Sequence, residues 1–357
     1  MAAGILADLG ADVIRVEAPG PQLAMTDPER AVHLRGRAAV TLDLRDDAAR
    51  TVVLDLVARA DILLEGYRPG VMEKLGLVPD ALLAANPGLI IGRMTGWGQE
   101  GPLAERAGHD IDYIAVAGAL RHFARAGERP VPPVNLVADF GGGAMFLLVG
   151  VLAALWERSR SGRGQVIDAA MVDGSAYLMM LVYSLAAQGM WNPDAPGTNL
   201  LDTGAPFYDV YECADGEYLA VGCLEPKFYA EFLRITGLDA DDIPDQFDIP
   251  RWADLRAAIA TRIATRTRDE WDDLFRDSDA CTSGVLSMTE AAEHPHLRAR
   301  GTFLADGPLQ PAPAPRFSRT PGAAVPRSEF PHGADALLRW GIEPEVAAAA
   351  TSGAPGD

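Results

Sequence analysis

The sequence predicts an α/β fold with a mostly parallel sheet, followed by a separate and smaller α+β unit. Three observations carry this. Strand and helix patterns alternate through roughly the first 170 residues. The strand segments there are continuous apolar runs rather than in–out alternations, as expected for strands covered on both faces. After a Pro/Gly/Asn/Asp-rich stretch at 191–206, the pattern changes to a hairpin and amphipathic helices.

"AAGILADLGADVIRVEAP" reads as a short helix, a Gly-Ala-Asp turn and the strand Val13-Ile14-Arg15-Val16. "AAVTLDL" reads as a strand. "RDDAARTVVLDLVARA" has apolar residues at helical spacing behind an acidic first turn. "DILLEGY" is a strand, and "PGVMEKLGL" a helix with proline in its first turn. "PDALLAANPGLIIGRMTGWG" repeats helix, Asn-Pro-Gly stop and buried strand. "DFGGGAMFLLVGVLAALWERSRSGRG" reads as a long apolar helix opened by glycines, and "GQVIDAAMVDGSAYLMMLVYSLAAQGM" as a strand and another buried helix. The predicted boundaries are a large domain at 1–190, a linker at 191–206, a small α+β domain at 207–300, and a return segment at 301–357. "FYDVYECADGEYLAVGC" has the Ala-Asp-Gly turn of a hairpin, and "PLQPAPAPRFSRTPGAAVPRSEFP" (308–331) is Pro-rich and extended.

The chain has 357 residues with 31 Lys+Arg against 50 Asp+Glu, a net charge of −19. Such a surface is poor for nucleic acid or an anionic membrane. It still accommodates an anionic small ligand if the cations cluster, and Arg15, Arg30, Arg35, Arg37, Arg45, Arg68, Lys74 and Arg93 all fall in the first third. The apolar runs are expected to be broken by Gly or charge before a bilayer-spanning length, and the N-terminus lacks a basic n-region. Cys213, Cys223 and Cys281 are odd in number and lack CxxC spacing, which fits a reducing, cytoplasmic compartment. Neither they nor the six histidines show metal-ligand spacing.

Three residues stand out for chemistry. Asp139, in "NLVADFGGGAMFLL", ends a predicted extended segment just before glycines that open a helix. It reads either as an N-cap or as a functional carboxylate at a positive helix end. The glycines there favour close approach of a ligand or of backbone. His109, in "AGHDIDY", reads either as a proton-transfer group or as a loop histidine satisfied by Asp110 or backbone. Glu225, in "GCLEPKFY", is either a helix-start acid before Pro226 or a partner to another functional group. "GRGQVIDAAM" runs from a helix into a strand, the wrong order for a phosphate-binding loop. Composition and spacing therefore lead to an enzyme-like α/β protein with a His/Asp proton-transfer candidate.

The ordered set "DLGADVIRVE", "EGYRPGVMEKLGL", "RMTGWGQEGP", "AGHDIDYIA", "NLVADFGGGAMFLLVGVLAALWER", "SGRGQVIDAAMVDG", "GAPFYDVYECADGEYLAVG", "EPKFYAEFL" and "PAPRFSRTP" spans essentially the whole chain. On these motifs the chain resembles the family III CoA-transferase superfamily, and within it the α-methylacyl-CoA racemase branch. The branch assignment rests on His109, where transferases of the family carry Phe or Tyr, and on the glutamate matching Glu225.

The resemblance implies a Rossmann-like large domain, a small domain and an interlocked homodimer. It implies inversion at the α-carbon of a 2-methylacyl-CoA thioester, with no cofactor beyond the CoA of the substrate itself. His109 and Asp139 would act as base and acid on opposite faces, and Glu225 would orient His109. Backbone N–H groups near Asp139 would hold the enolate oxygen. CoA contacts of the family fall on Leu42, Asp43, Leu44 and Arg45, on Gly66, Tyr67 and Arg68, on Lys74, and on Gly108, Asp110, Ile111, Asp112 and Tyr113. Arg45, Arg68 and Lys74 are the expected phosphate partners. Ala18 replaces an arginine that contacts CoA in some of the branch.

Family members begin with a strand and a Gly/Pro-rich loop ahead of the helix where this sequence begins. Two explanations compete, a start assigned too far downstream and a genuine truncation; the expectation is the former, which the intact mass of the native protein tests. Two alternatives accompany the racemase reading: a CoA-transferase using Asp139 as covalent nucleophile, and an acyl-CoA-binding protein without turnover.

Overall fold

The computed structural model describes residues 1–20 and 31–352. Arg30, one of the basic residues of the first third, lies outside them. The chain divides into two compact units. The first comprises Met1–Ile114, Asn135–Tyr177 and Ala292–Asp357, and the second Ala115–Val134 and Leu178–Ala291.

In the first unit, β1 (Ile14–Glu17) pairs in parallel with β2 (Ala38–Thr41). A separate parallel sheet has the order β3 (Ile62–Glu65), β4 (Ile90–Thr95), β5 (Gln165–Ala170). The single large sheet expected from the strand–helix alternation is thus in two parallel pieces. The edges of β1 and β3 both line one cavity of about 900 Å³, walled by Ile14, Val16, Leu63 and Leu64 among others. From residue 292 onward the chain belongs to this unit again. Ala323 N–H bonds the Asp8 carbonyl at 2.8 Å, Gly36 N–H bonds that of Val325 at 2.9 Å, and His332 bridges β2 at Ala39.

The second unit holds β6 (Tyr208–Glu212), β7 (Tyr218–Gly222) and β8 (Thr282–Gly284) in one antiparallel sheet. Helices Pro226–Thr236, Trp252–Ile263 and Arg268–Phe275 supply much of its core, with Phe207, Phe232, Leu255, Ile259 and Trp271 fully buried. The stretch 191–206, read from composition as a linker, lies inside this unit. Its polar residues are turned inward: the Asp202 carboxylate accepts N–H groups of Gly197 and Asn199 at 2.8 and 2.7 Å. Ala115–Val134, expected in the large domain, groups here because the Arg125 guanidinium is paired with buried Asp209 at 2.8 Å.

Helix Leu136–Ser161 is the element that positions the site. Its first ten residues, Leu136–Met145, are π-helical, and Phe146–Ser161 continues as α-helix to Gly162, which is left-handed at φ 75°. Two expectations change here. The predicted extended "NLVA" is helical, so Asp139 sits inside the first turn and Asn135 holds the cap position. The run is also 26 residues long, and by length and composition alone it would suffice to cross a membrane. Its glycines do not interrupt it, because they are packing positions. A Cβ on Gly150 would lie 3.0 Å from Ile167 of β5. A Cβ on Gly142 would lie 2.7 Å from Ser175 N, and one on Gly174 would overlap the Gly142 carbonyl. The triple glycine therefore serves the approach of helix Met171–Leu178. On the other face, Ala144, Leu147, Leu148 and Val151 bury against β4 and β5.

A buried arginine ties the strand ends to the loop beyond them. Arg93 of β4 donates from Nε to Glu65 Oε1 at 2.7 Å and from Nη1 to Glu73 Oε1 at 2.8 Å. Glu65 Oε2 in turn accepts Tyr67 N–H at 2.7 Å. The loop 66–70 is thus held at both ends by one guanidinium, and the helix Val71–Lys74 begins only after Pro69, with Gly70 left-handed at φ 80°.

Two outcomes follow. Gly174→Ala drives a methyl into the Gly142 carbonyl and is expected to cost about 1–3 kcal/mol of stability or more, read from urea midpoints. Arg93→Met leaves Glu65 buried and unpaired and is expected to cost about 3–5 kcal/mol at neutral pH. Burial pushes the Glu73 carboxyl up, but the Arg93 hydrogen bond and charge outweigh it and hold the group below its usual range. A depressed carboxyl adds stability above its unfolded pKa and loses it as pH falls through the folded value. The wild-type advantage over Arg93→Met is therefore expected to narrow in the acid range, as measured by unfolding at a series of pH values.

Candidate active site

The first-unit candidates lie beyond the C-terminal ends of parallel strands, the place where open α/β sheets bind ligands. Leu42–Arg45 follow β2, Gly66–Arg68 follow β3, and Gly108–Tyr113 lie on the stretch leaving β4. The loop "TGWGQ" is pressed against this last stretch. A Cβ on Gly96 would overlap the Tyr113 ring, and Trp97 meets Tyr113 edge-on with centroids 4.8 Å apart.

His109 is exposed and stands one residue ahead of helix Asp110–Val116. Its N–H donates to Asp112 Oδ2 at 2.9 Å, and its carbonyl accepts Asp112 N–H at 2.8 Å. Asp112 is therefore the local turn-former, while the imidazole makes no hydrogen bond to the neighbouring Asp110. Asp110 points the other way. It is 2% exposed, and its Oδ2 accepts the N–H groups of Ala138 and Asp139 at 2.7 and 2.8 Å. Its side chain is therefore not open to CoA, being spent inside the protein on the helix that carries Asp139.

The same bonds change the expected source of enolate stabilisation. The N–H groups of Ala138 and Asp139 are already occupied by Asp110. At the start of helix Asp110–Val116, the N–H groups of Asp110 and Ile111 have no acceptor outside their own helix among the described residues.

Asp139 is half-buried, and its Oδ2 accepts the Asn135 side-chain N–H at 2.8 Å. Asn135 is left-handed at φ 61°, directly after Val134 at φ 46°. For a β-branched residue that backbone is strained, and such strain collects at functional sites. Asn135 carries no sequence signal beyond its place four residues ahead of Asp139. The Tyr113 phenol is pushed up by burial and then by the carboxylates of Asp139 and Asp112, with the Arg68 guanidinium opposing them. Arg68, Asp112, Tyr113 and Asp139 thus share one electrostatic neighbourhood.

The other candidates divide by exposure. Gly66, Tyr67, Arg68 and Gly108 in loops, and Lys74 and Ile111 on short helices, are exposed or partly exposed. Leu42 is 1% exposed and belongs to the core, so its side chain is not available to a ligand, and Leu44 packs against the same cluster. Arg45 is exposed and clasps Asp43 through Nε at 2.9 Å and Nη2 at 2.7 Å. Its hydrogen bonds hold the Asp43 carboxyl down at about 2. Tyr113 is buried and its hydroxyl donates to the Gly108 carbonyl. Glu225 belongs to the second unit, where it is exposed at the N-cap position of helix Pro226–Thr236 and makes no capping bond.

The model of CoA-transferase family III matches residues 1–336. The α-methylacyl-CoA racemase of Mus musculus is 44% identical over 348 residues, covering 96% of this chain and 89% of the relative. That of Homo sapiens is 42% identical, covering 90% and 83%. Among solved structures, a CaiB/BaiF family protein from Brucella suis superposes with a TM-score of 0.79 at 26% identity, covering 96% of this chain and 94% of that one. The fold, the loops beyond the strand ends and these matches converge on one assignment: the chain belongs to CoA-transferase family III.

Proposed function

We propose that this chain is an isomerase that inverts the α-carbon of 2-methylacyl-CoA thioesters by 1,1-proton transfer. The observation that carries the reading is the tie between His109 and Asp139. The residue after His109 bonds the backbone N–H of Asp139, so two proton-transfer groups belong to one hydrogen-bonded element of the first unit. Two relatives above 40% identity named α-methylacyl-CoA racemase support it.

The α-proton of a thioester is a weak acid, so its removal needs a placed base and donors for the enolate oxygen. In one direction His109 takes the proton and Asp139, in its protonated form, returns one to the opposite face; in the other direction the roles swap. A single base would return the proton mostly to the side it left. The donors left for the enolate oxygen are the N–H groups opening helix Asp110–Val116. Asn135 steadies the Asp139 carboxylate. Glu225 is proposed as a third functional carboxylate of the reaction. Arg68, Lys74 and, on release from Asp43, Arg45 are the proposed phosphate contacts, exposed cations on an acidic chain.

The reading includes a homodimer of interlocked chains. Its support is an apolar stripe on helix Phe146–Ser161: Val149 is 64% exposed, Leu152 55% and Trp156 71%, continuing Met145 at helical spacing. A stripe of that kind suits a subunit surface better than a solvent-facing one, and a partner chain would give this apolar helix a covering other than lipid. The free cysteines, two of them buried, accord with a reducing, cytoplasmic setting.

Incubation with a 2-methylacyl-CoA in deuterated water is expected to place deuterium at the α-carbon with no acceptor acid present. A requirement for an acceptor, with a hydroxylamine-sensitive adduct on Asp139, would indicate transferase chemistry; binding without exchange would indicate a protein without turnover. His109→Ala and Asp139→Ala are each expected to lower kcat by about 10²–10⁴-fold while acyl-CoA still binds. Retained racemisation in either variant overturns the two-base assignment. Leu152→Glu with Trp156→Glu is expected to shift the sedimentation mass from two chains to one.

A further inference from the structure

We propose that Asp110 is a positioning residue that fixes the placement of the two proton-transfer groups relative to each other, a proposal that rests on reading His109 and Asp139 as that pair. The backbone between them does not provide this. Ala115–Val134, most of the chain from one to the other, belongs to the second unit. Within the first unit, the described hydrogen bonds between the segment 108–114 and the helix Leu136–Met145 are the two accepted by Asp110. Both end on a single oxygen, and the residue is 2% exposed, so water does not compete for it.

The link is short and stiff. Asp110 is one peptide from His109 and begins helix Asp110–Val116, and its carboxylate grips the N–H of Asp139 itself. Hydrogen bonds to an ionised acceptor are the strong class, and the positive end of the helix adds to them. The anchor also acts on a strained approach, since Val134 and Asn135 enter the helix with φ of 46° and 61°. Without it, the first turn is free to relax, carrying the Asp139 carboxylate with it. Racemisation is sensitive to such a shift, because the proton must leave one face and arrive on the other at a fixed separation. A displacement near 1 Å costs on the order of 10²-fold in rate.

The test compares Asp110→Ala with Asp110→Asn in the full chain. Three quantities are read: α-proton exchange with a 2-methylacyl-CoA in deuterated water, KM for that thioester, and amide hydrogen exchange over residues 135–142. Asp110→Ala is expected to lower kcat by about 10²-fold with little change in KM, and to lose protection at Ala138 and Asp139. Asp110→Asn keeps an oxygen able to accept both N–H groups. It is expected to retain protection there and a kcat close to wild type.

Wild-type kcat in Asp110→Ala overturns the proposal. So does an Asp110→Asn variant that keeps its amide protection but loses kcat as severely, since the charge rather than the placement would then matter. If Asp110→Ala does not fold, the Asp110→Asn comparison decides by the same criterion. Failure of the underlying reading has a different signature: His109→Ala and Asp139→Ala would then exchange the α-proton as fast as wild type, whatever the Asp110 variants do, and both ideas fall together.

Discussion

The buried carboxylate of Asp110 holds two backbone N–H groups at the start of a 26-residue helix, and the arrangement of the candidate site follows from that contact. Taking a carboxylate out of water is costly unless its oxygens find donors. Here the donors are orphan N–H groups that a helix start must satisfy in any case. One contact thus resolves two problems, and in doing so it attaches the loop bearing His109 to the turn bearing Asp139. The π-helical opening and the left-handed Val134 and Asn135 belong to the same solution: they carry the chain into the helix so that the amides face Asp110 and the Asp139 carboxylate faces Asn135.

The helix must also lie in a narrow space, and its glycines make that possible. Gly142 and Gly174 bring two backbones together with no side chain between them, while Leu147, Leu148 and Val151 bury on the sheet. Packing of this density tolerates few additions. The outward stripe from Met145 to Trp156 is not covered by the described residues, which ties the placement of the site to the surface proposed for dimer formation.

Charge is distributed to the same end. The chain carries −19 overall, yet the segments that follow β2 and β3 present Arg45, Arg68 and Lys74. Arg93, by contrast, is buried and bound to Glu65 and Glu73, so it shapes the loop rather than meeting a ligand. Cations from one sequence region thus have opposite uses, one solvated and one structural, and burial separates them.

Much of this was legible in the sequence. The alternation of apolar strand runs with helices defined the α/β class, because both faces of a parallel strand must be apolar. The Ala-Asp-Gly turn identified the hairpin, and the motif order pointed to the family and to His109, Asp139 and Glu225 as residues of interest. Other features depended on contacts between residues far apart in the chain. Polar composition made 191–206 look like a linker, although Asn199 and Asp202 turn inward to satisfy backbone. The glycines at 141–143 signalled a close approach, but not that Gly174 was its partner. Asp110 read as a loop acid beside a histidine, since nothing local announces an acceptor for amides 28 and 29 residues away. Sequence by itself determined the elements, the class and the chemical groups, because periodicity and residue type are local. Only the tertiary structure decided which carboxylate is buried, which N–H groups are occupied and which cations stay exposed, because burial and hydrogen bonding are properties of neighbours in space.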